Sequence, residues 1–210
     1  MTEPIAATTN LAASALVDAP VRAWLEEMPD AVRRIAADWQ LELGSPYEPG
    51  GHTAWVAPAR TADGVDVVVK VGMAHPEAEH EAEALRLWDG DGSVRLLRSA
   101  SDGRSLFLLL ERCDPGTPLA VRDEAEQDEV IADVLRRTWA TPVAGTPFRP
   151  LADLCRIWAD ETEERLAAGE LPVDPGLARA AVAVLRERPA PRRTDDDVLL
   201  HPTWLERLVA

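Results

Sequence analysis

Val65-Asp66-Val67-Val68-Val69-Lys70-Val71 and, beyond a proline-bearing joint at Pro76, His80-Glu81-Ala82-Glu83-Ala84-Leu85-Arg86-Leu87-Trp88 decide the reading of this chain. The first run is β-branched and strand-sized. The second places Ala78, Glu81, Ala82, Leu85 and Trp88 on one helical face, with Asp89-Gly90 after it. Pro76 suits a first helical turn, and acidic Glu77 and Glu79 favour a helix N-terminus. Lys70 therefore ends a strand, and Glu81, four residues before the core-facing Leu85, shares that residue's face. Glu83 is a weaker partner, because at 100° per residue it lies about 200° from Glu81 around the helix. Of the 22 basic residues, Lys70 is the only lysine. In a chain that uses arginine everywhere else, a retained lysine marks a position for a compact point charge on a flexible stem. Chance survival on a strand and an ordinary surface ion pair are the plain alternatives.

Working outward, residues 1–19 read as a loose Ala/Thr-rich lead-in. Val21, Trp24, Leu25 and Met28 mark a helix over 20–28. Pro29-Asp30 interrupts it and caps a second short helix carrying Val32, Ile35, Ala36 and Trp39. Strands are expected near 39–46, 52–60 and 65–71, with Ala62-Asp63-Gly64 as a hairpin turn. Two more follow around Val94–Ala100 and Leu106–Glu111, joined by Ser101-Asp102-Gly103. After Pro118 the pattern turns helical. Val130, Ile131, Val134, Leu135 and Trp139 mark one face. Leu151, Leu154, Cys155, Trp158, Thr162 and Leu166 mark another. A third helix is capped by Asp174-Pro175 and carries Leu177, Ala181, Val184 and Leu185. Joints at 140–150 and 189–191 separate these helices. The order predicts an α+β chain: a β-rich lobe over 20–111, a joint at 112–119 and a helical segment over 120–210.

The 210 residues carry a net charge of −15, so nucleic acid and anionic membrane surfaces are poor partners and polycations good ones. Cys113 and Cys155 have no ligand-like spacing and read as reduced thiols, which points to the cytoplasm. The start Met1-Thr2-Glu3-Pro4 lacks the basic region of a signal peptide. No apolar run is long enough for a membrane span; the longest clean one is Leu106–Leu110.

Two further segments could carry chemistry. In Pro46-Tyr47-Glu48-Pro49-Gly50-Gly51-His52-Thr53, Gly50 and Gly51 would let backbone N–H groups approach phosphates, although a plain β-turn reads the same way. In Leu108-Leu109-Leu110-Glu111-Arg112-Cys113-Asp114-Pro115-Gly116, a buried strand runs into a polar stretch. There the Glu111 carbonyl and the Cys113 N–H could meet an adenine edge, or simply end a strand.

Taken in order, the run His80 to Gly92, Val94-Arg95-Leu96-Leu97, Leu108 to Arg112 with Pro115-Gly116, the Glu-Pro-Gly-Gly loop and the Val-Lys strand resemble the aminoglycoside and hydroxyurea phosphotransferase family, its streptomycin 6-phosphotransferase branch above all. The resemblance covers roughly residues 20–201. It implies a protein-kinase-like fold, with a five-stranded antiparallel N-lobe containing one helix and an incomplete helical C-lobe. It implies transfer of the γ-phosphoryl of ATP, with Mg2+, to a hydroxyl of a small-molecule antibiotic: an aminoglycoside such as streptomycin, or a hydroxyurea-like compound. By the same resemblance Lys70 contacts the phosphates, Glu81 holds Lys70, and 111–113 forms the adenine hinge. The acidic charge would suit a cationic drug.

The resemblance ends at Val198-Leu199-Leu200-His201. From such a histidine the family continues into His-x-Asp-x-x-x-x-Asn and a later Asp-bearing segment. Here Pro202 to Ala210 contain neither aspartate nor asparagine. Asp195, Asp196 and Asp197 precede the strand and read as a solvated charge run, and His201 as structural. The expectation is a chain stopped before its catalytic loop by a frameshift or premature stop. It would hold no intact catalytic residues and no magnesium ligands, and its turnover would be lowered by many orders of magnitude. Three readings follow: an antibiotic phosphotransferase by descent, a nucleotide-binding pseudokinase acting through a protein partner, and a non-functional remnant. Oligomeric state is not legible.

Overall fold

A computed structural model describes residues 5–139 and 146–187. The expected strand Val198–His201, the Asp195–Asp197 run and the tail 202–210 lie outside the described residues, as do 140–145 and the joint at 189–191. The described chain is α+β and falls into two compact units that divide after Trp139.

The first unit is built on a five-stranded antiparallel sheet in the order β1-β2-β3-β5-β4. The strands are β1 Glu42–Leu43, β2 Ala54–Arg60, β3 Asp66–Met73, β4 Leu96–Ser101 and β5 Ser105–Glu111. Two tight turns set this meander. Gly64 (φ +86°) sits in the turn between β2 and β3, where the Thr61 N–H donates to the Val65 carbonyl at 3.0 Å. Gly103 (φ +85°) does the same work between β4 and β5. Beside the first turn Arg60 pairs with Asp66 at 2.9 Å. The Arg60 hydrogen bond, then its charge, holds the exposed Asp66 carboxyl below its ordinary range. That small contribution is present above the ordinary carboxylate pKa and fades as pH falls through the lowered one.

Strand alternation divides the sheet's labour. Val67, Val69 and Val71 of β3, Trp55, Ala57 and Ala59 of β2, and Phe107 and Leu109 of β5 share one buried core. That core is closed by α1 (Thr9–Val17) and α2 (Ala19–Asp38), through Leu11, Trp24, Met28, Val32 and Ile35. The residues between them on β3, Val68 and Lys70, point to the opposite face and are half-buried.

Two N-terminal expectations are corrected. Residues 9–17 are not loose, because they form α1, and Leu11 is fully buried in the core. Pro29 does not split the following segment either; α2 runs unbroken from Ala19 to Asp38 through it. A mid-helix proline costs about 3 kcal/mol. The stripe Val21, Trp24, Met28, Val32 and Ile35 is buried along its whole length, and each such side chain contributes about 1.5–3 kcal/mol. Burial outweighs the lost hydrogen bond.

Between β3 and β4 lies α3 (Glu81–Trp88), which buries Ala84, Leu85 and Trp88. It starts later than Pro76, because 75–81 form tight turns, with Ala78 N donating to His75 O and Glu81 N to Ala78 O. Beyond β5, α4 (Glu124–Thr138) belongs to this unit, and the buried Trp88 Nε1 donates to the Thr138 carbonyl at 2.8 Å. Gly92 (φ +75°) lies so close that a Cβ there would meet Thr138 Cγ2 at 2.9 Å.

The second unit pairs α5 (Leu151–Ala167) with α6 (Pro175–Arg186), tied by Arg186 to Asp160 and Glu163. Asp174 caps α6, accepting from Leu177 N at 2.9 Å. The expected α6 face is rotated by one position. Ala178 and Val182 are buried, while Leu177 and Val184 are exposed. Small side chains at 178 and 182, facing Ala152, Cys155 and Ala159, allow close helix approach.

Leu11→Ala should lower the unfolding free energy by about 2–5 kcal/mol, the ordinary cost of emptying a fully buried leucine site. Urea denaturation followed by tryptophan fluorescence measures it. A loss under about 0.5 kcal/mol, typical of surface changes, would return residues 9–17 to the status of a loose lead-in.

Candidate functional site

The face of β3 turned away from α1 and α2 carries the chain's only lysine. Lys70 lies opposite Val56 on β2 and Leu108 on β5, at the centre of the sheet. Its Nζ donates to Glu81 Oε1 at 2.6 Å, and the two side chains retain 20% and 12% of their exposure. An ammonium this far from water needs its counter-ion, and the pairing is charge-assisted and short. Glu83 takes the other role expected of it: it sits two residues on, pairs with Arg86 at 3.5 Å and faces solvent.

The glycine-bearing loop leads directly into β2. Its last residue, Thr53, accepts from Met73 N at 2.8 Å, so the loop leaves three residues from Lys70 along β3 and three from Val56 along β2. The two glycines sit differently. Gly50 has φ +78°, and a Cβ there would lie 2.3 Å from Thr8 Oγ1, so packing and backbone both demand glycine. Gly51 is under no such demand, since a Cβ there would make only ordinary contacts with Ala54 at 3.4 Å and 3.9 Å. Its missing side chain leaves backbone open to an approaching group. Beside the loop, His75 stands 2.9 Å from Glu77 Oε2 and 3.5 Å from Thr53 Oγ1.

At the far end of the same sheet face, β5 leaves through Glu111, Arg112 and Cys113. The Glu111 side chain is engaged, accepting from Arg95 N at 2.8 Å. Cys113 is exposed, and its N–H makes no hydrogen bond within the described residues. Gly116 (φ +62°) folds the chain back so that a Cβ there would lie 2.8 Å from the Cys113 carbonyl.

Between these ends the Lys70 face offers Val56, Pro58 and Val68, all half-buried, side by side with the buried Leu108 and Leu110 of β5. These three were not among the site residues expected from the sequence. Val68 was legible there, two residues before Lys70 and so on the same strand face; Val56 and Pro58 needed the register, which places them opposite Lys70 and Val68. The arrangement is a row: a glycine-bearing loop and an ion-paired lysine at one end, an apolar strip in the middle, and an exposed backbone stretch at the other. Among the described residues no group of three His, Cys, Asp or Glu side chains could hold a metal ion. None of the described helices is long and apolar enough to cross a membrane.

Comparison with known proteins gives the chain a family. The family model described as aminoglycoside/hydroxyurea antibiotic resistance kinase matches residues 41–192. Streptomycin 6-kinase of Streptomyces griseus is 33% identical over 175 residues, which cover 81% of this chain and 56% of that protein. Streptomycin 6-kinase of Streptomyces glaucescens is 32% identical over a stretch of the same length and coverage. Hydroxyurea phosphotransferase of Kitasatospora aureofaciens is 38% identical over 119 residues, covering 55% of this chain and 34% of that protein. The chain spans about half the length of the two streptomycin kinases it matches. The family match runs from β1 past the end of α6 and takes in Lys70, Glu81 and the 111–113 stretch; the chain belongs to the aminoglycoside/hydroxyurea antibiotic resistance kinase family.

Proposed function

We propose that this chain is the nucleotide-binding part of an ATP-dependent phosphotransferase acting on a hydroxyl of a small-molecule antibiotic, with a protein-kinase-like arrangement of sheet and helix. The observation that carries the reading is the Lys70–Glu81 pair, 2.6 Å long and mostly withdrawn from water, on the sheet face opposite the α1/α2 core. ATP, when bound, supplies the γ-phosphoryl group. Lys70 sets a point charge against its phosphates, and Glu81, 2.6 Å from its Nζ, keeps that charge aimed. The Gly51 backbone lies open to the phosphates. Val56, Pro58 and Val68 offer the adenine an apolar face, and the Glu111 carbonyl and Cys113 N–H offer its edge a hydrogen-bonding pair. No described residue is assigned to magnesium, because no described cluster suits it. The names of the relatives support an aminoglycoside or hydroxyurea-like acceptor. A chain of net charge −15 favours the cationic aminoglycoside of the two.

Lys70→Ala should weaken ATP binding about 10- to 100-fold, the range of one lost charge-assisted contact. Glu81→Gln should weaken it less, and Lys70→Arg should not restore it, because the guanidinium fork cannot occupy the ammonium's position beside Glu81. Isothermal titration of the full chain with ATP reads all three; equal affinity in wild type and Lys70→Ala would sink the assignment.

The 111–113 assignment has its own test. Cys113 is exposed and Cys155 buried, so N-ethylmaleimide should label Cys113 alone in the native chain. ATP should slow that labelling several-fold, as followed by mass spectrometry. Labelling of Cys113 at the same rate with saturating ATP would place the adenine elsewhere.

A further inference from the structure

Residues 9–17 lie outside the matched stretch 41–192, yet α1 is bound to the glycine-bearing loop along most of its length. The first helical N–H, of Thr9, donates to Glu48 Oε2 at 3.0 Å. Asn10 grips the loop twice: its backbone N–H donates to the Pro49 carbonyl at 2.9 Å, and its Nδ2 donates to the Gly50 carbonyl at 2.8 Å. One turn further on, Ser14 Oγ and His52 Nδ1 are 2.9 Å apart. Thr8 completes the contact. It is fully buried, its Oγ1 has no hydrogen-bond partner, and it fills the space that any side chain at position 50 would need.

We infer that α1 is a clamp that sets the conformation of the 48–53 loop for nucleotide binding, with Asn10 as its central positioning residue. The inference rests on the nucleotide reading of the Lys70 site. Its physical basis is the pairing of directions. The two Asn10 donors engage consecutive loop carbonyls, of Pro49 and Gly50. Those carbonyls are thereby turned toward α1, and the peptide N–H groups that follow them are turned the other way. The N–H groups of Gly50 and Gly51 are the ones freed by this arrangement. A loop without α1 would have to order these carbonyls when the nucleotide arrives, and that ordering opposes binding. The anchor holding α1 itself is separate. Leu11 is fixed in the core, so loss of the Asn10 side-chain bond loosens the loop at Gly50 while leaving the helix, and its backbone bond to Pro49, in place.

The substitutions Asn10→Ala and Asn10→Asp separate positioning from mere packing. Asp retains the size of Asn and is favourable in a first helical turn, but it sets a carboxylate oxygen against the Gly50 carbonyl. Ser14→Ala removes the His52 contact as an independent variant. Hydrogen exchange at the amides of 50–53 is measured in the full chain without ligand, and ATP affinity by titration. In both Asn10 variants exchange should accelerate and the ATP Kd rise about five-fold, the effect of one hydrogen bond, with the urea midpoint near wild type. Rescue by Asp, with wild-type exchange and affinity, would overturn the clamp and leave only a helix-packing role. Faster exchange with unchanged ATP Kd would also overturn it, since the loop's order would then not matter to the nucleotide. Failure of the wild-type chain to bind ATP sinks the nucleotide reading instead, and the exchange rates still decide whether Asn10 holds the loop.

Discussion

The candidate site in the first unit depends on the two faces of β3 serving different ends, one buried in the core and the other half-buried. The strand's odd-numbered valines close the core with α1 and α2, which fixes the strand rigidly at the centre of the sheet. Its even positions are then committed to the other face, where Lys70 sits with most of its water stripped away. A lysine in that position cannot stand alone, because the cost of an unpaired, desolvated ammonium is several kcal/mol. Glu81 meets it only if the first turn of α3 lies over Lys70. That turn is set from the helix's other end: Trp88 is buried and donates to the Thr138 carbonyl of α4, and Gly92 lets the two segments touch. The ion pair is thus the outcome of a strand position and a helix position determined by separate packing interactions.

Most of this was legible in the sequence because it rests on short-range signals. The valine run, the Asp63-Gly64 and Asp102-Gly103 turns and the Glu81–Leu85–Trp88 spacing each need only a few neighbouring residues, and the five strands and α3 follow from them. The isolation of Lys70 among arginines singled out the residue that the fold pairs with Glu81. What escaped was long-range or involved small residues. α1 is Ala/Thr-rich and weakly patterned, and its partners lie some forty residues downstream, with a side chain meeting a backbone carbonyl. No local pattern announces such a contact. Pro29 signals a break by its local penalty, and the packing of a whole helical stripe overrides it. On α6 the periodicity of Leu177, Ala181, Val184 and Leu185 predicts one buried face, whereas helix contact selects Ala178 and Val182, one position on.

The two loop glycines show how one residue type answers two constraints. At Gly50 the backbone is in the left-handed region and the space is filled by Thr8, so the fold alone requires glycine there. At Gly51 the backbone is ordinary and the space is open. A glycine that the chain's own packing does not require is the better candidate for a close approach by something else. Gly50 therefore shapes the loop, and the binding role attributed to both glycines concentrates on the second.

The same logic applies to the chain's choice of lysine. An arginine at position 70 would carry the same charge, and this chain prefers arginine at every other basic position. The geometry explains the exception. The strand presents the group between Val56 and Leu108, with Glu81 Oε1 only 2.6 Å from Nζ. A guanidinium is planar, wider and satisfied by bidentate partners, so it would fill the space beside Glu81 with nitrogen that has nothing to bond. A compact ammonium engages one carboxylate oxygen and keeps two further N–H groups for another anion. Those two donors, on the face that the core does not use, are what the proposed function assigns to phosphate.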